Sequence, residues 1–283
     1  MPTLSWNMFE RHTSEIDWCE ENYVVTNSIA EFYNTISNIP FLVYPVICMR
    51  LYQKHYADNT RQGHLVWSLF IAIGLWSGYY HATLSLAGQL LDEICIFWQL
   101  VATFATWMPE KYLPGPLKQR TPGCRLSVLI AVIILSFLSM LKPTINAIAL
   151  MTFGGPLSYI VYTETKQLDC PRTRRLGFRI LVYWPIALTV WISDRINCSI
   201  WKAINFPYLH SIWHVFVVLA AYQACVLMSY VYAASKPAKN AEKPVLRYWP
   251  DDSFERFGVP YVVTRPSYYT NGHSKYNGSY NIV

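Results

Sequence analysis

Long apolar stretches, separated by short polar segments, run through most of this chain. After a polar and acidic N-terminal segment, apolar runs of about 20 residues recur, each long enough to cross the hydrocarbon core of a bilayer. We predict seven transmembrane helices, at residues 29–51, 64–83, 90–108, 126–141, 145–162, 178–197 and 209–232. The predicted fold is therefore all-α: a polytopic membrane protein built as a bundle of seven transmembrane helices.

The composition supports the same class of protein. Of the 283 residues, 53% are hydrophobic and 14% are charged, and the mean hydropathy is +0.19; these values exclude an ordinary soluble domain. Residues 1–25 are polar and lack the pattern of a cleavable signal, so we expect the first membrane helix to act as the signal. The net charge of +6 does not indicate nucleic-acid binding, because the basic residues lie mainly in certain loops and in the tail.

The distribution of basic residues predicts the topology. They concentrate between predicted helices one and two, three and four, and five and six, and again at the start of the tail. By the positive-inside rule, the N-terminus faces the lumen or exterior and the C-terminus faces the cytosol. We predict a lumenal segment at 1–28, a transmembrane domain at 29–233 and a cytosolic tail at 234–283. We expect the tail to be largely disordered, because its end is rich in Ser, Tyr, Asn and Gly.

Three histidines are predicted to lie at one membrane depth, on the lumenal side. His210 and His214 are four residues apart, so on a helix they project from one face. This spacing alone is a weak motif, but the predicted topology brings His81, at the outer end of helix two, to the same level. Three neutral imidazoles plus a water form a recurrent catalytic zinc arrangement. We therefore interpret the three histidines as zinc ligands.

Two further polar residues are predicted at the same depth. Ser77 precedes His81 by one helical turn, and Asp92 lies near the start of helix three. Beside a zinc-activated water, Asp92 is suited to act as a general base and Ser77 to donate a hydrogen bond to a developing oxyanion. Two alternatives stay open for the acid: Asp92 orients a ligand histidine, or Glu93 is the functional residue. Ser77 could instead bond back to its own helix.

Five segments carry a resemblance to a known family. They are DWCEENY (17–23), AEFYNTISN (30–38), SxxxH (77–81), LDE (91–93) and PYLHxxWH (207–214). Between about residues 16 and 262 the chain resembles the alkaline ceramidases, with the motifs in the family's order, and it is most similar to the Golgi-type members.

The resemblance implies a seven-helix membrane hydrolase that cleaves the amide bond of ceramide to a sphingoid base and a fatty acid. By position, it implies that His81, His210 and His214 bind zinc. It also implies that Asp92 acts as general base and that Ser77 stabilises the oxyanion.

The acidic N-terminal segment has two readings. Its side chains offer hard oxygen ligands of the kind that Ca²⁺ prefers, at Asp17, Glu20, Asn22 and Glu31. The spacing is not that of an EF-hand, and by themselves these residues favour a solvated acidic surface. The resemblance favours a calcium site instead, and adds the backbone carbonyl of Trp18 to the ligand set.

The cysteines yield one further prediction. On the predicted topology, Cys19 and Cys198 are the cysteines that face the oxidising compartment. We predict a disulfide between them, which the resemblance also implies.

A binding protein is the main alternative to an enzyme: a seven-helix receptor of the adiponectin-receptor type, held together by zinc and without turnover. Ser77 and Asp92 favour the enzyme, since a receptor needs no base. Asp194 beside Arg195 suits either ion transport or a structural ion pair at a helix end.

We expect a ceramide substrate and a bilayer as partners, with no nucleic acid and no obligatory protein partner. We expect localisation in the endomembrane system, where the resemblance favours the Golgi over the endoplasmic reticulum.

Overall fold

The computed structural model describes residues 6–56, 60–113, 115–118, 122–141, 143–235 and 244–264. Within these ranges the chain is mostly helical, with one small sheet near its C-terminal end. The elements are α1 (Phe32–Ile36), α2 (Ile39–His55), α3 (Thr60–Thr83), α4 (Leu86–Trp107), α5 (Gly115–Lys118), α6 (Pro122–Leu141), α7 (Pro143–Gln167), α8 (Pro171–Ile196), α9 (Cys198–Ala203), α10 (Leu209–Ala234), β1 (Val245–Trp249) and β2 (Val259–Val263).

Each predicted transmembrane segment overlaps at least one of these helices, but several helices begin earlier than hydropathy indicates. Helix α8, for example, starts at Pro171, whereas the apolar run begins at Phe178. Its first two turns contain arginines. These residues form helices readily, but their low hydropathy excludes them from a predicted membrane span. Among the described residues, α4, α8 and α10 are long and apolar enough to span a membrane. The count of seven spans and the orientation of the termini stay predictions.

The first predicted helix is divided in two. Residues 30 and 31 are not helical, because their backbone N–H groups donate to the carbonyls of Ala82 and His81 at the end of α3, each at 3.0 Å. Helix α1 follows for a little more than one turn, and α2 begins at Ile39 with Pro40 in its first turn, where a missing N–H costs nothing. The break keeps the polar residues before α2 at the end of the bundle that carries His81.

Helix α10 runs through the centre of the bundle. Its residues from Tyr222 to Val231 are all buried, and it packs chiefly against α8, with further contacts to α1, α2 and α4. Large aromatic side chains, including Trp67, Trp107 and Tyr52, fill the core beside it. The histidines of α10 are thus carried on the most enclosed element of the fold.

The all-α prediction omitted a β-hairpin. Strands β1 and β2 pair antiparallel, with Val245 opposite Val263 and Trp249 opposite Val259. The hairpin packs on the helices, and the backbone N–H of Thr264 donates to the carbonyl of His55 at 3.0 Å. The predicted tail therefore contains an ordered segment at residues 244–264. Residues 236–243 and 265–283 of that predicted tail lie outside the described residues.

A matched pair of aromatic substitutions tests whether the hairpin is part of the folded unit. Tyr248 is 1% exposed, and its hydroxyl accepts a hydrogen bond from Arg179 Nη2 at 2.8 Å. Tyr248→Ala should lower the unfolding free energy by about 3 kcal/mol and expose the hairpin to proteolysis. Phe257→Ala, on the exposed loop of the same hairpin, should stay within about 0.5 kcal/mol of the native chain. Equal effects in thermal unfolding and limited proteolysis would contradict the docking.

Candidate metal centre

Three buried histidines from two helices form one cluster. His81 lies in the last turn of α3, and His210 and His214 lie in the first two turns of α10. Their ligand nitrogens all lie within 4.8 Å of one another, and no side chain of the three is more than 2% exposed. The predicted convergence of these residues is therefore present, and the cluster is enclosed enough to hold a cation away from bulk water.

Hydrogen bonds fix which nitrogen two of the rings present to the cluster. The Nδ1 of His81 lies 2.5 Å from Glu31 Oε2, and since a carboxylate only accepts, Nδ1 carries the proton. The Nδ1 of His214 lies 2.7 Å from Ser37 Oγ, whose own proton goes to the carbonyl of Asn34 at 2.9 Å. Nδ1 of His214 is therefore also the donor. Both rings keep Nε2 unprotonated, as metal ligation requires.

Unpaired buried nitrogens support a metal in this place. Among the described residues, His214 Nε2 and His210 Nδ1 are buried without a hydrogen-bond partner. Buried polar atoms are seldom left unsatisfied, because each costs about 1–3 kcal/mol. Zinc prefers imidazole nitrogen, so the donor set fits that ion.

Asp92 and Ser77 lie close to each other, with Ser77 one helical turn before His81. Asp92 projects from the second turn of α4 and is buried, with its carboxyl within reach of the Ser77 hydroxyl. Its Oδ1 atom has no hydrogen-bond partner. In the described chain the group of mutually close ligand atoms comprises the three histidines alone, so Asp92 stands outside the metal-ligand set with one oxygen available.

Glu93, the alternative acid, is engaged elsewhere. Its Oε1 accepts a hydrogen bond from Gln89 Nε2 at 2.9 Å, and Gln89 in turn accepts from Ser14 in the N-terminal segment at 2.7 Å. These contacts give Glu93 a role in holding that segment on α4. Of the two neighbouring acids, the unpaired oxygen of Asp92 is the better placed for proton transfer.

The N-terminal acidic residues gather against α1. Both oxygens of Glu20 accept backbone N–H groups at the start of α1, from Tyr33 at 2.7 Å and Asn34 at 2.8 Å. Burial raises the pKa of Glu20 to about 7, although these hydrogen bonds lower it. Glu31, likewise buried, accepts from the backbone N–H of Trp18 at 3.0 Å. Acids held so far from water stay ionised at neutral pH only where hydrogen bonds or a cation stabilise the charge.

Asp17 and Asn22 complete the acidic group. The amide of Asn22 donates to Asp17 at 3.1 Å, and its Oδ1 is buried without a partner. The carboxyl of Asp17 in turn contacts that of Glu31. Two carboxyl groups in contact, next to an unpaired amide oxygen, fit a hard cation such as Ca²⁺. The described side chains are not drawn together as closely as the three histidines, and most oxygens of Glu20 and Glu31 already accept hydrogen bonds.

The predicted disulfide between Cys19 and Cys198 is confirmed, with the two Cα atoms 5.4 Å apart. It ties the N-terminal segment to the start of α9. Asp194 strengthens the same junction, because its Oδ2 accepts the backbone N–H of Cys19 at 3.2 Å and its carboxyl lies near the backbone of His210. Within the described residues no salt bridge joins Asp194 to Arg195, whose guanidinium lies 5.1 Å from the ring of Trp18. The two side chains therefore make no direct contact, and Asp194 is held chiefly by the backbone N–H of Cys19.

Sequence reasoning missed the residues that hold the histidines. From the sequence alone, Ser37 is included only as part of the AEFYNTISN segment, and Glu31 is assigned only as a calcium ligand. Trp18 was assigned a carbonyl role, yet its ring also stacks on the His210 ring with centroids 3.6 Å apart. A usable signal existed, since Glu31, Asn34, Ser37 and Asn38 are polar residues grouped in the first part of a predicted membrane helix.

Ser37→Ala tests the assigned tautomer. Removing the hydroxyl leaves His214 Nδ1–H buried without its acceptor, so we expect zinc affinity to fall about 10- to 100-fold. Ser211→Ala is the matched control, because Ser211 lies on α10 near the cluster but donates to Asn34 Oδ1 at 2.7 Å. Titration of the metal-free chain with zinc measures both variants. Equal losses in the two would show that Ser37 acts only through packing.

Comparison with known proteins gives matches along most of the chain. The sequence profile of the ceramidase family matches residues 10–263, a range that includes the acidic segment, the histidines and the hairpin. The alkaline ceramidase of Drosophila melanogaster is 40% identical over 262 residues, which cover 93% of this chain and 92% of that protein. Alkaline ceramidase 1 of Homo sapiens is 42% identical over 260 residues, covering 92% of this chain and 97% of that protein. The resemblance drawn from the motifs is confirmed.

Proposed function

We propose, from the premise that this chain belongs to the ceramidase family, that it is a zinc-dependent hydrolase of the ceramide amide bond. The products would be a sphingoid base and a free fatty acid. The observation that carries the proposal is the buried cluster of His81, His210 and His214, with Ser77 one helical turn before His81 and close to the carboxyl of Asp92.

The residues that would hold the metal follow from the hydrogen bonds. His81 and His214 would bind through Nε2, because their Nδ1 atoms are occupied by Glu31 and Ser37, and His210 would supply the third nitrogen. A zinc ion so bound polarises a carbonyl oxygen and lowers the pKa of a water molecule towards neutrality.

Asp92 would act first as general base and then as general acid. Its unpaired Oδ1 would accept a proton from the attacking water and return it to the amide nitrogen, which leaves as an amine only when protonated. The Ser77 hydroxyl has one hydrogen, which it donates to Asp92 in the resting arrangement. Once Asp92 is protonated it is a weaker acceptor, so the hydroxyl becomes free to donate to the developing oxyanion.

The position of the cluster suits a membrane lipid. Helices α4 and α10, which carry Asp92 and two of the histidines, are both apolar enough to span a bilayer. A substrate with two long hydrocarbon chains could therefore reach the cluster without leaving the membrane. We infer that the reaction takes place within the bilayer and that the seven-helix count predicted from hydropathy holds.

We further propose that Ca²⁺ binds Asp17, Glu20, Asn22, Glu31 and the carbonyl of Trp18. The contact between the carboxyls of Asp17 and Glu31 and the unpaired Oδ1 of Asn22 support a cation there. Its role would be structural: the ion would hold the N-terminal segment, and with it the Trp18 ring, against His210.

The compartment follows from the disulfide. A bond between Cys19 and Cys198 requires an oxidising environment, which supports a lumenal N-terminus and a place in the endomembrane system. Within that system we propose the Golgi, on the motif resemblance to Golgi-type members of the family.

Measurements of metal content and of turnover distinguish zinc binding by the histidines from proton transfer by Asp92. His214→Ala should lose both bound zinc and ceramide hydrolysis. Asp92→Asn should keep its zinc and lose about 10²- to 10⁴-fold in hydrolysis rate, because only the proton carrier is removed. Glu93→Gln is the matched control and should stay within about threefold of the native rate. Zinc by elemental analysis and release of both products from ceramide are the measurements.

The opposite pattern, with Glu93→Gln inactive and Asp92→Asn active, would overturn the assignment of the acid. Native chain that holds zinc and yet cleaves no ceramide would instead indicate a zinc-stabilised receptor.

Calcium should stabilise the chain through the acidic segment. A ligand that binds the folded state alone at 100 times its Kd adds about 2.7 kcal/mol, so the melting temperature should rise on addition of Ca²⁺ but much less with Mg²⁺. Asp17→Asn should abolish most of the rise, whereas Glu15→Gln, an exposed acid in the same segment, should preserve it. Equal calcium responses in the two variants would rule out the proposed ligand set.

A further inference from the structure

An arginine-lined cleft lies where the start of α8 meets the β-hairpin. Its volume is about 690 Å³, and it is lined by Arg174, Arg175, Phe178, Arg179, Glu255 and Arg256. Asp194, which contacts the histidine-bearing helix, lies twenty residues further along α8, so the cleft is about 30 Å away from the metal centre. Nothing in the proposed hydrolysis uses it.

Two of the four arginines are already engaged. Arg175 forms a two-point ion pair with Glu255. Arg179 donates to the carbonyl of Glu255 at 2.9 Å and to the hydroxyl of Tyr248 at 2.8 Å. These contacts fasten the hairpin to α8 and build the walls of the cleft.

The other two arginines retain unused donors. Arg256 has no carboxylate within 4.0 Å in the part of the chain that the structure describes, and Arg174 has only the fully exposed Asp169 at 3.7 Å. The Nε of Arg179 is also buried without a partner. With four guanidinium groups and the single carboxylate of Glu255 among the lining residues, the cleft carries excess positive charge and free hydrogen-bond donors.

Aromatic rings lie exposed beside these charges. Phe178 is 67% exposed, and on the hairpin loop Phe254 and Phe257 are 53% and 86% exposed. Phe178 follows Arg174 by one turn on the same face of α8, and so lies about 6 Å further into a helix that is long and apolar enough to span a membrane. From the helix start, the guanidinium of Arg174 therefore precedes the exposed ring of Phe178, the order of headgroup and acyl chain in a lipid.

We propose that this cleft binds an anionic phospholipid, with its phosphate between Arg174 and Arg256 and its acyl chain along Phe178. Guanidinium groups match phosphate in charge and in planar two-point geometry. The cleft opens at the first turns of a candidate membrane span, the level at which headgroups lie. A lipid bound there bridges α8 and the hairpin, which share no covalent link near this point. The proposal does not depend on hydrolysis of ceramide.

The test measures lipid binding to the full-length chain in a zwitterionic detergent by native mass spectrometry. Dioleoylphosphatidic acid is the anionic probe and dioleoylphosphatidylcholine the neutral one. Arg174→Gln with Arg256→Gln should weaken phosphatidic acid binding roughly 30-fold, which corresponds to about 1 kcal/mol for each arginine. Arg50→Gln with Arg247→Gln removes the same charge from exposed sites outside the cleft lining, and should change it less than about threefold.

Three outcomes would overturn the proposal. Equal losses in the two double variants would indicate general attraction to net charge. Binding of glycerol 3-phosphate as tight as that of the lipid would indicate a site for a soluble anion. Absence of any preference for phosphatidic acid over phosphatidylcholine would exclude the site altogether. If the Arg174 and Arg256 double variant fails to fold, as judged by its melting temperature, the single variant Arg256→Gln replaces it.

Discussion

The buried carboxylate of Glu31 is the interaction on which the metal centre depends. It accepts hydrogen bonds from the backbone of Trp18, the side chain of Asn34 and the imidazole of His81. A buried charge is costly unless it is paired and fully hydrogen-bonded, so the N-terminal segment, α1 and α3 must stay together to satisfy it. The direction in which His81 presents its free nitrogen is thereby set by a residue fifty positions earlier in the chain.

The other two histidines are held by different parts of the molecule. His214 is oriented by Ser37, between α1 and α2, whereas His210 has the ring of Trp18 stacked on it. Each imidazole thus has its own support from outside its helix. Ligands fixed in this way need little rearrangement to accept a metal ion, which is the arrangement expected of a preorganised site.

The site residues that sequence reasoning found are those with a local or topological signal. His210 and His214 share a helical face through their spacing, and alternating loop charges bring His81 to their level. The partners of these histidines have no such signal, because they are set by tertiary packing. Glu31 reaches His81 only because the chain folds back on the end of α3, where the carbonyls of His81 and Ala82 accept the N–H groups of Glu31 and Ala30.

The hairpin was missed for a related reason. Its strands are five residues long, and in β1 the alternation of Leu246 and Tyr248, both buried, with exposed neighbours is too short to stand out beside polar flanking sequence. Their burial depends on the arginines of α8, which hydropathy placed in a loop. A pattern that relies on a partner far along the chain cannot be read from its own residues.

Helix α8 shows how the membrane environment distributes charge. Its charged residues are Arg172, Arg174, Arg175 and Arg179 near one end and Asp194 and Arg195 at the other, with an apolar stretch between them. A charge in the middle of a spanning helix is expensive, so charges remain only where a partner or an interface compensates them. At the far end Asp194 accepts the backbone N–H of Cys19. At the near end Arg175 and Arg179 are paired with the hairpin. Among the described residues Arg174 and Arg256 have no equivalent buried partner, and a lipid phosphate at the bilayer surface would supply one.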